Sequence, residues 1–179
     1  MFFYHGTSTV FTKVDLSKSR ERTDFGKGFY LASKLGTARS WAIEKPAINV
    51  KVPTVIRYQL RSDTFNNTEL AIIRFNAPSL AWLDFIKENR RNDLVISIGK
   101  EPRHDYDIVS GPIADDKVAE VVTLYCNNKI SADEAIQRTK ALPSVFQLSL
   151  HTAIAISFIE SAAYSQYING KWNEWSPIP

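Results

Sequence analysis

The spacing of apolar and polar residues changes period several times along the chain, and each change marks an element. Phe2 to His5 (FFYH) reads as a short strand, and after a polar, basic stretch GFYLA at 28–32 reads as a second, rich in aromatic and apolar residues. Ala38, Trp41 and Ala42 then fall at i, i+3 and i+4, one face of a helix that Ser33 would cap and Pro46 would close. VPTVIRYQL at 52–60 and LAIIRF at 70–75 are strand-like, and the helical spacing of 79–91 puts Trp82, Phe85 and Ile86 in the core. Tyr106 to Val109 predicts a further strand ending at Gly111-Pro112, followed by a helix over 114–128 with Val118, Val121, Val122 and Tyr125 in one stripe. Ser131 and Glu134 have the spacing of a capping box, in which each side chain satisfies a free backbone N–H of the next helix. At 145–151 the period becomes two: Phe146, Leu148 and Leu150 share one face, and Gln147 points away from it. From Thr152 the pattern predicts a short helix and then leaves a polar and aromatic tail unassigned. Strands mixed irregularly with helices predict an α+β fold with flanking helices, not a doubly wound sheet. The phosphate-cradling patterns GxGxxG and GxxxxGK[ST] are both missing from the sequence.

Composition narrows the class. A chain of 179 residues, 44% hydrophobic and 23% charged, suits one globular domain spanning 1–179 and disfavours disorder. The longest apolar run, Ala153 to Ile159 interrupted by Ser157, falls well short of the roughly 20 residues of a membrane span. The amino terminus has no basic segment followed by a sustained apolar one, so a cytoplasmic location and no membrane partner are expected. One cysteine, Cys126, rules out an intramolecular disulfide framework, and three scattered histidines give no zinc-like spacing, so no metal is expected. The net charge of +3 is unevenly placed: residues 1–52 carry nine Lys+Arg against four Asp+Glu. The first third is therefore the part suited to an anion, although a solvated surface gives the same count.

Two segments carry candidate chemistry. His5-Gly6-Thr7-Ser8 places an imidazole at the end of a strand, then a residue without Cβ, then two hydroxyls. The glycine would let a planar amide approach the backbone; the competing reading is a structural histidine beside a turn. In Asp24-Phe25-Gly26-Lys27-Gly28-Phe29-Tyr30, two glycines flank a lysine directly before an aromatic strand. Such a loop can fold over a ligand, with Tyr30 on the same side as Gly28 and its flat face offered to a heteroaromatic ring. The competing reading makes Phe29 and Tyr30 ordinary half-buried strand residues. His151 with Ser149, or Cys126 with a histidine, has no spacing that fixes a nucleophile and base, and Asp115-Asp116 reads as helix capping.

HGTS, then FGKGFYLAS, then an aromatic eleven residues beyond the tyrosine resembles the donor site of ADP-ribosyltransferases, most closely the poly(ADP-ribose) polymerase branch. DFGKGFYLAS, WLDFIKENRR, YDIVSGPIADD and FQLSLHTAIAISF together resemble a bacterial family of unknown function assigned to the ADP-ribosyltransferase-like superfamily, over residues 3 to about 160. The resemblance implies a split mixed sheet with flanking helices and NAD as donor substrate. His5 would bond the adenine-side ribose, Gly6 would hold the nicotinamide amide, and Tyr30 and Trp41 would sandwich the nicotinamide ring. Thr7, Ser8, Arg20, Arg22 and Lys27, with the loop residues Phe25, Gly26 and Gly28, would face the ribose and pyrophosphate. The superfamily's late-strand glutamate is replaced by Gln147, giving a His-Tyr-Gln constellation. A serine that polymerases use on the nicotinamide amide is replaced by Ala38.

Glutamine can bond a ribose hydroxyl but cannot act as a general base, so the resemblance implies a mono-ADP-ribosyltransferase acting on a protein or nucleic-acid acceptor. A bacterial toxin or defence effector with a cognate antitoxin or inhibitor is the implied setting, and Gln147→Glu is expected to be tolerated. Two alternatives stay open at this level. One is an RNA 2′-phosphotransferase on the same fold; the other is a catalytically silent NAD-sensing or nucleic-acid-binding module, motivated by Gln147 and the basic first third.

Overall fold

The computed structural model describes residues 1–44, 52–90, 105–114, 116–142 and 145–178. β1 (Phe2–Thr7) runs antiparallel to β3 (Thr54–Leu60) with Phe2 opposite Gln59 and Thr7 opposite Thr54. β3 in turn pairs with β7 (Ile159–Ile168), which carries the short strands β8 (Lys171–Trp172) and β9 (Ser176–Pro177). On the other side, β2 (Phe29–Ala32) pairs with β6 (Phe146–Leu150), and β6 with β5 (Ile108–Pro112). β4 (Ile72–Arg74) lies parallel to β5 at the edge, which makes the sheet mixed. The order is β4-β5-β6-β2-β1-β3-β7-β8, with β9 beside β7. Its two halves join where β1 meets β2, in register at the one pair Tyr4 and Ala32. The result is an α+β fold with a mixed sheet and flanking helices.

Strand alternation divides the core. Phe3, Phe29, Leu31, Ile56, Tyr58, Leu148 and Leu150 form one apolar layer, closed by Ala155 of the short helix α5 (Ala153–Ser157) and by Phe158. Tyr58 is buried enough that its phenol is pushed far above the usual tyrosine range and stays neutral. On the opposite face, helix α1 (Leu35–Glu44) sets Ala38 and Ala42 against Ala32 and Val55. Beside it α2 (Leu80–Arg90), α3 (Asp116–Cys126) and α4 (Ala132–Lys140) enclose Trp82, Leu83, Ile86, Val109, Val122 and Ala135. Each fully buried Leu or Ile there contributes roughly 1.5–3 kcal/mol. The Trp82 indole N–H donates to the Pro112 carbonyl (3.3 Å), which ties α2 to the end of β5.

Several boundaries differ from the sequence expectation. Ser33 does not cap α1: its N–H donates to the Phe146 carbonyl (2.9 Å), extending the ladder between β2 and β6, and the helix starts at Leu35. The strand expected at Tyr106 to Val109 is Ile108–Pro112, with Tyr106 buried below it. The capping serine at 131 accepts from the Glu134 N–H (3.2 Å) as its spacing predicts. The unassigned tail is strand: β7 is the longest of the sheet at 10 residues. Pro46 and Asp115 lie outside the described residues. Among the described residues no helix is long and apolar enough to cross a membrane.

Candidate active site

A cleft of about 1030 Å³ opens where the two halves of the sheet meet, at the upper end of the roughly 300–1,000 Å³ of small-molecule sites. His5, Tyr30 and Gln147, from β1, β2 and β6, all line it, together with Gly6, Thr7, Gly28 and Trp41. Arg20 and Arg22 line it as expected. Ser8, in the bend after β1, does not; Thr7 and Thr9 on either side of it do. The His5 imidazole Nδ1–H donates to the Tyr30 carbonyl (2.8 Å), and its ring lies 4.6 Å from that of Phe29 and 5.8 Å from that of Phe11. The ring is thus fixed by strand β2 as well as facing the cleft.

The glycine-containing loop is built differently from the sequence expectation. Gly26 has φ 79°, the left-handed region that glycine enters at least cost, and its N–H donates to the Thr23 carbonyl (3.1 Å). The Tyr30 hydroxyl accepts from the Phe25 N–H (2.8 Å), donates to the Gly26 carbonyl (2.8 Å) and meets the Thr23 hydroxyl at 2.7 Å. Tyr30 therefore pins the loop. Burial, the largest cause, pushes its phenol far above the ordinary tyrosine range, so it stays neutral. Phe25 is fully buried beside Tyr30, with ring centroids 6.3 Å apart and 24° between planes, and belongs to the helical core, not to the cleft wall.

Gly26 and Lys27 also lie off the wall: the Gly26 carbonyl is used by Tyr30, and the Lys27 ammonium sits at the surface 3.5 Å from Glu21. Gly28 has no side chain for a packing reason, since a Cβ there would stand 2.3 Å from Ser149 Oγ and 2.7 Å from His151 Cε1. Gly6 is the same case. A Cβ there would meet the Ala38 carbonyl oxygen at 2.3 Å and Trp41 Cβ at 2.9 Å, so α1 packs against the Cβ side of Gly6, which also lines the cleft.

Three cleft features were not singled out in the sequence. Thr23 and Asp24 stand in the wall in place of Phe25 to Lys27. Arg90, at the end of α2, donates from Nε (2.8 Å) and Nη2 (2.5 Å) to Asp24 Oδ1, while the Ala114 N–H and Gln147 Nε2 each reach Oδ2 at 3.3 Å. Lys13 and Lys18 add to Arg20 and Arg22, so the cleft wall holds more cations than its anions Asp15, Asp24 and Glu44 balance. The Ser17 hydroxyl and N–H, bonding Asp15 (2.6 and 3.0 Å), keep that carboxyl below the usual range. Arg22 has φ 58°, an uncommon conformation for a residue with a side chain.

The signal for Arg90 was present in the sequence: it falls four residues after the buried Ile86 and so on the apolar face of α2, where an arginine needs a partner. Gln147, 5% exposed, points away from the layer of Leu148 and Leu150 as its alternation predicts. Among the described residues no group of three or more His, Cys, Asp or Glu is arranged to hold a metal.

The wall thus combines cations, hydroxyls and the aromatic side chains of Phe29, Tyr30 and Trp41. No curated protein matches the sequence, and no solved structure does. Residues 1–160 match the model of a family described as "Protein of unknown function (DUF3990)", and the chain therefore belongs to that family.

Proposed function

We propose that the cleft binds NAD and that the domain is a mono-ADP-ribosyltransferase of ADP-ribosyltransferase-like fold. The observation that carries this reading is the convergence of His5, Tyr30 and Gln147, from three strands, on one cleft with Trp41 and a row of cations. The meeting of the two sheet halves at a single register pair supports a split sheet. The nicotinamide ring lies between Tyr30 and Trp41, and His5, its ring fixed by Tyr30, bonds the adenine-side ribose. Arg20 and Arg22, with Lys13 and Lys18, take the pyrophosphate, and Gln147 bonds the nicotinamide-side ribose.

The bond between the nicotinamide nitrogen and ribose C1 breaks, its electron pair leaving with nicotinamide. A nucleophile of the acceptor macromolecule bonds C1 and gives up its proton. The protein's contribution is to hold the donor in a reactive pose, because neither Tyr30 nor Gln147 supplies a base. A toxin or defence effector held in check by an inhibitor protein is the setting that fits such an activity.

A second reading, an NAD-sensing module without turnover, is favoured by one observation: the Gln147 amide is engaged with Asp24. Incubating a cell lysate with NAD labelled in its adenylate half, and assaying nicotinamide release alongside label on protein and nucleic acid, separates the two. Release with transferred label supports the transferase; NAD binding with neither supports the sensor.

A further inference from the structure

Asp24 and Gln147 lie 123 positions apart in sequence, and the fold brings the amide nitrogen of one to the carboxylate of the other. A carboxylate oxygen at neutral pH only accepts hydrogen bonds, so the Gln147 amide must turn its NH₂ toward Asp24. Its carbonyl oxygen is then the atom left to face another partner. Asp24 itself is held in place: Arg90 grips Oδ1 through two nitrogens, and the Ala114 N–H reaches Oδ2. Both side chains of the ion pair are largely buried, 15% exposed for Asp24 and 24% for Arg90, and both line the cleft.

We infer that Asp24 is a positioning residue for Gln147, setting the amide so that Oε1 is presented to a hydroxyl of the bound ligand. Which ligand that is rests on the NAD reading; the positioning does not. The inference reverses the sequence expectation for Gln147→Glu. That substitution places a second carboxylate where an amide now donates across 3.3 Å, and two like charges so close cannot both stay ionised without penalty. Moving the charge across the pair, with Asp24→Asn and Gln147→Glu together, restores one donor facing one carboxylate. The Ala114 N–H loses its carboxylate acceptor in Asp24→Asn and in the double variant alike, so the comparison between those two is fair.

The test uses wild type, Asp24→Asn, Gln147→Glu and the double variant. The first readout is thermal stability without NAD from pH 4 to 8, and the second is nicotinamide release from NAD. In Gln147→Glu the introduced carboxyl has a raised pKa in the folded state. Stability is therefore fully present at the acid end, below the ordinary glutamate value, and is lost as pH rises through the raised one. Release falls on the order of a hundredfold, the cost of a misplaced group. The double variant loses the pH-dependent destabilisation and regains release to within roughly tenfold of wild type. Additive stability profiles, with the double variant no better than the worse single variant, overturn the inference whatever the enzymology shows. Coupled stability without recovery of release in an active protein makes the pair merely structural and also overturns it. Where the wild type releases no nicotinamide the transferase reading falls, and NAD affinity by calorimetry replaces release as the second readout: affinity recovered in the double variant supports the positioning, and affinity not recovered overturns it.

Discussion

Replacing Tyr30 with phenylalanine removes one oxygen and leaves the ring, which separates the two jobs that the sequence and the structure give this residue. As a stacking platform alone, phenylalanine would serve nearly as well. As the pin of the loop, it would not. The lost oxygen is the acceptor for the Phe25 N–H (2.8 Å), and Phe25 is fully buried, so that donor has no water to turn to. An unsatisfied buried donor costs about 1–3 kcal/mol. The bond to the Gly26 carbonyl (2.8 Å) also goes, but the Thr23 hydroxyl at 2.5 Å can still donate there, so the further loss is below the ~1 kcal/mol of an average bond. The expected total is about 1–4 kcal/mol, a sizeable part of the roughly 5–15 kcal/mol that holds a domain together. Urea unfolding should show the midpoint falling at unchanged slope, since the surface exposed on unfolding barely changes. Amide exchange over residues 23–26 should rise at the same time. A Tyr30→Phe variant within about 0.5 kcal/mol of wild type would refute the pinned-loop account and return Tyr30 to a stacking role alone.

Gly6→Ala should destabilise by about 1–3 kcal/mol or more, because the added methyl meets the Ala38 backbone at 2.3 Å and must push α1 off β1. Gly36→Ala, in the same helix with nothing within 4 Å, should instead stabilise by up to about 1 kcal/mol, and melting curves of the two variants check both signs. Arg22→Gly should keep or slightly raise stability by relieving the positive φ, while weakening NAD binding and its dependence on salt; calorimetry at two ionic strengths reads this directly.

What was legible in the sequence is what local pattern determines. Leu148 and Leu150 alternate with polar residues and join one apolar layer, so the orientation of Gln147 followed from the alternation. β7 was not legible for the opposite reason: Ser161, Ala162, Ala163, Ser165 and Gln166 give neither of its faces a continuous apolar row, and its pairing with β3 supplies what its composition does not. The glycines show a second limit. A missing side chain at 6 or 28 signals close approach but not of what, and in both places the neighbour is protein: the backbone of α1, or Ser149 and His151. The ion pair of Asp24 with Arg90 joins residues 66 positions apart, beyond the reach of any spacing rule, although an arginine on the apolar face of α2 pointed to a hidden partner. Phe25 was misplaced because an aromatic beside a glycine turn can face core or ligand alike, and the Tyr30 hydroxyl, by binding the Phe25 N–H, fixes the local backbone.

The central claim is that NAD occupies the cleft between the sheet halves. A titration of NAD into isotope-labelled protein, followed by amide and side-chain chemical shifts, tests it most directly. The account predicts saturable shifts clustered at His5, Thr7, Thr9, Arg20, Arg22, Tyr30, Trp41 and the Gln147 side-chain amide, the residues that line the cleft. No saturable shift, or shifts gathered instead around Ile72, Ile73 and Arg74 of the edge strand β4, would contradict it.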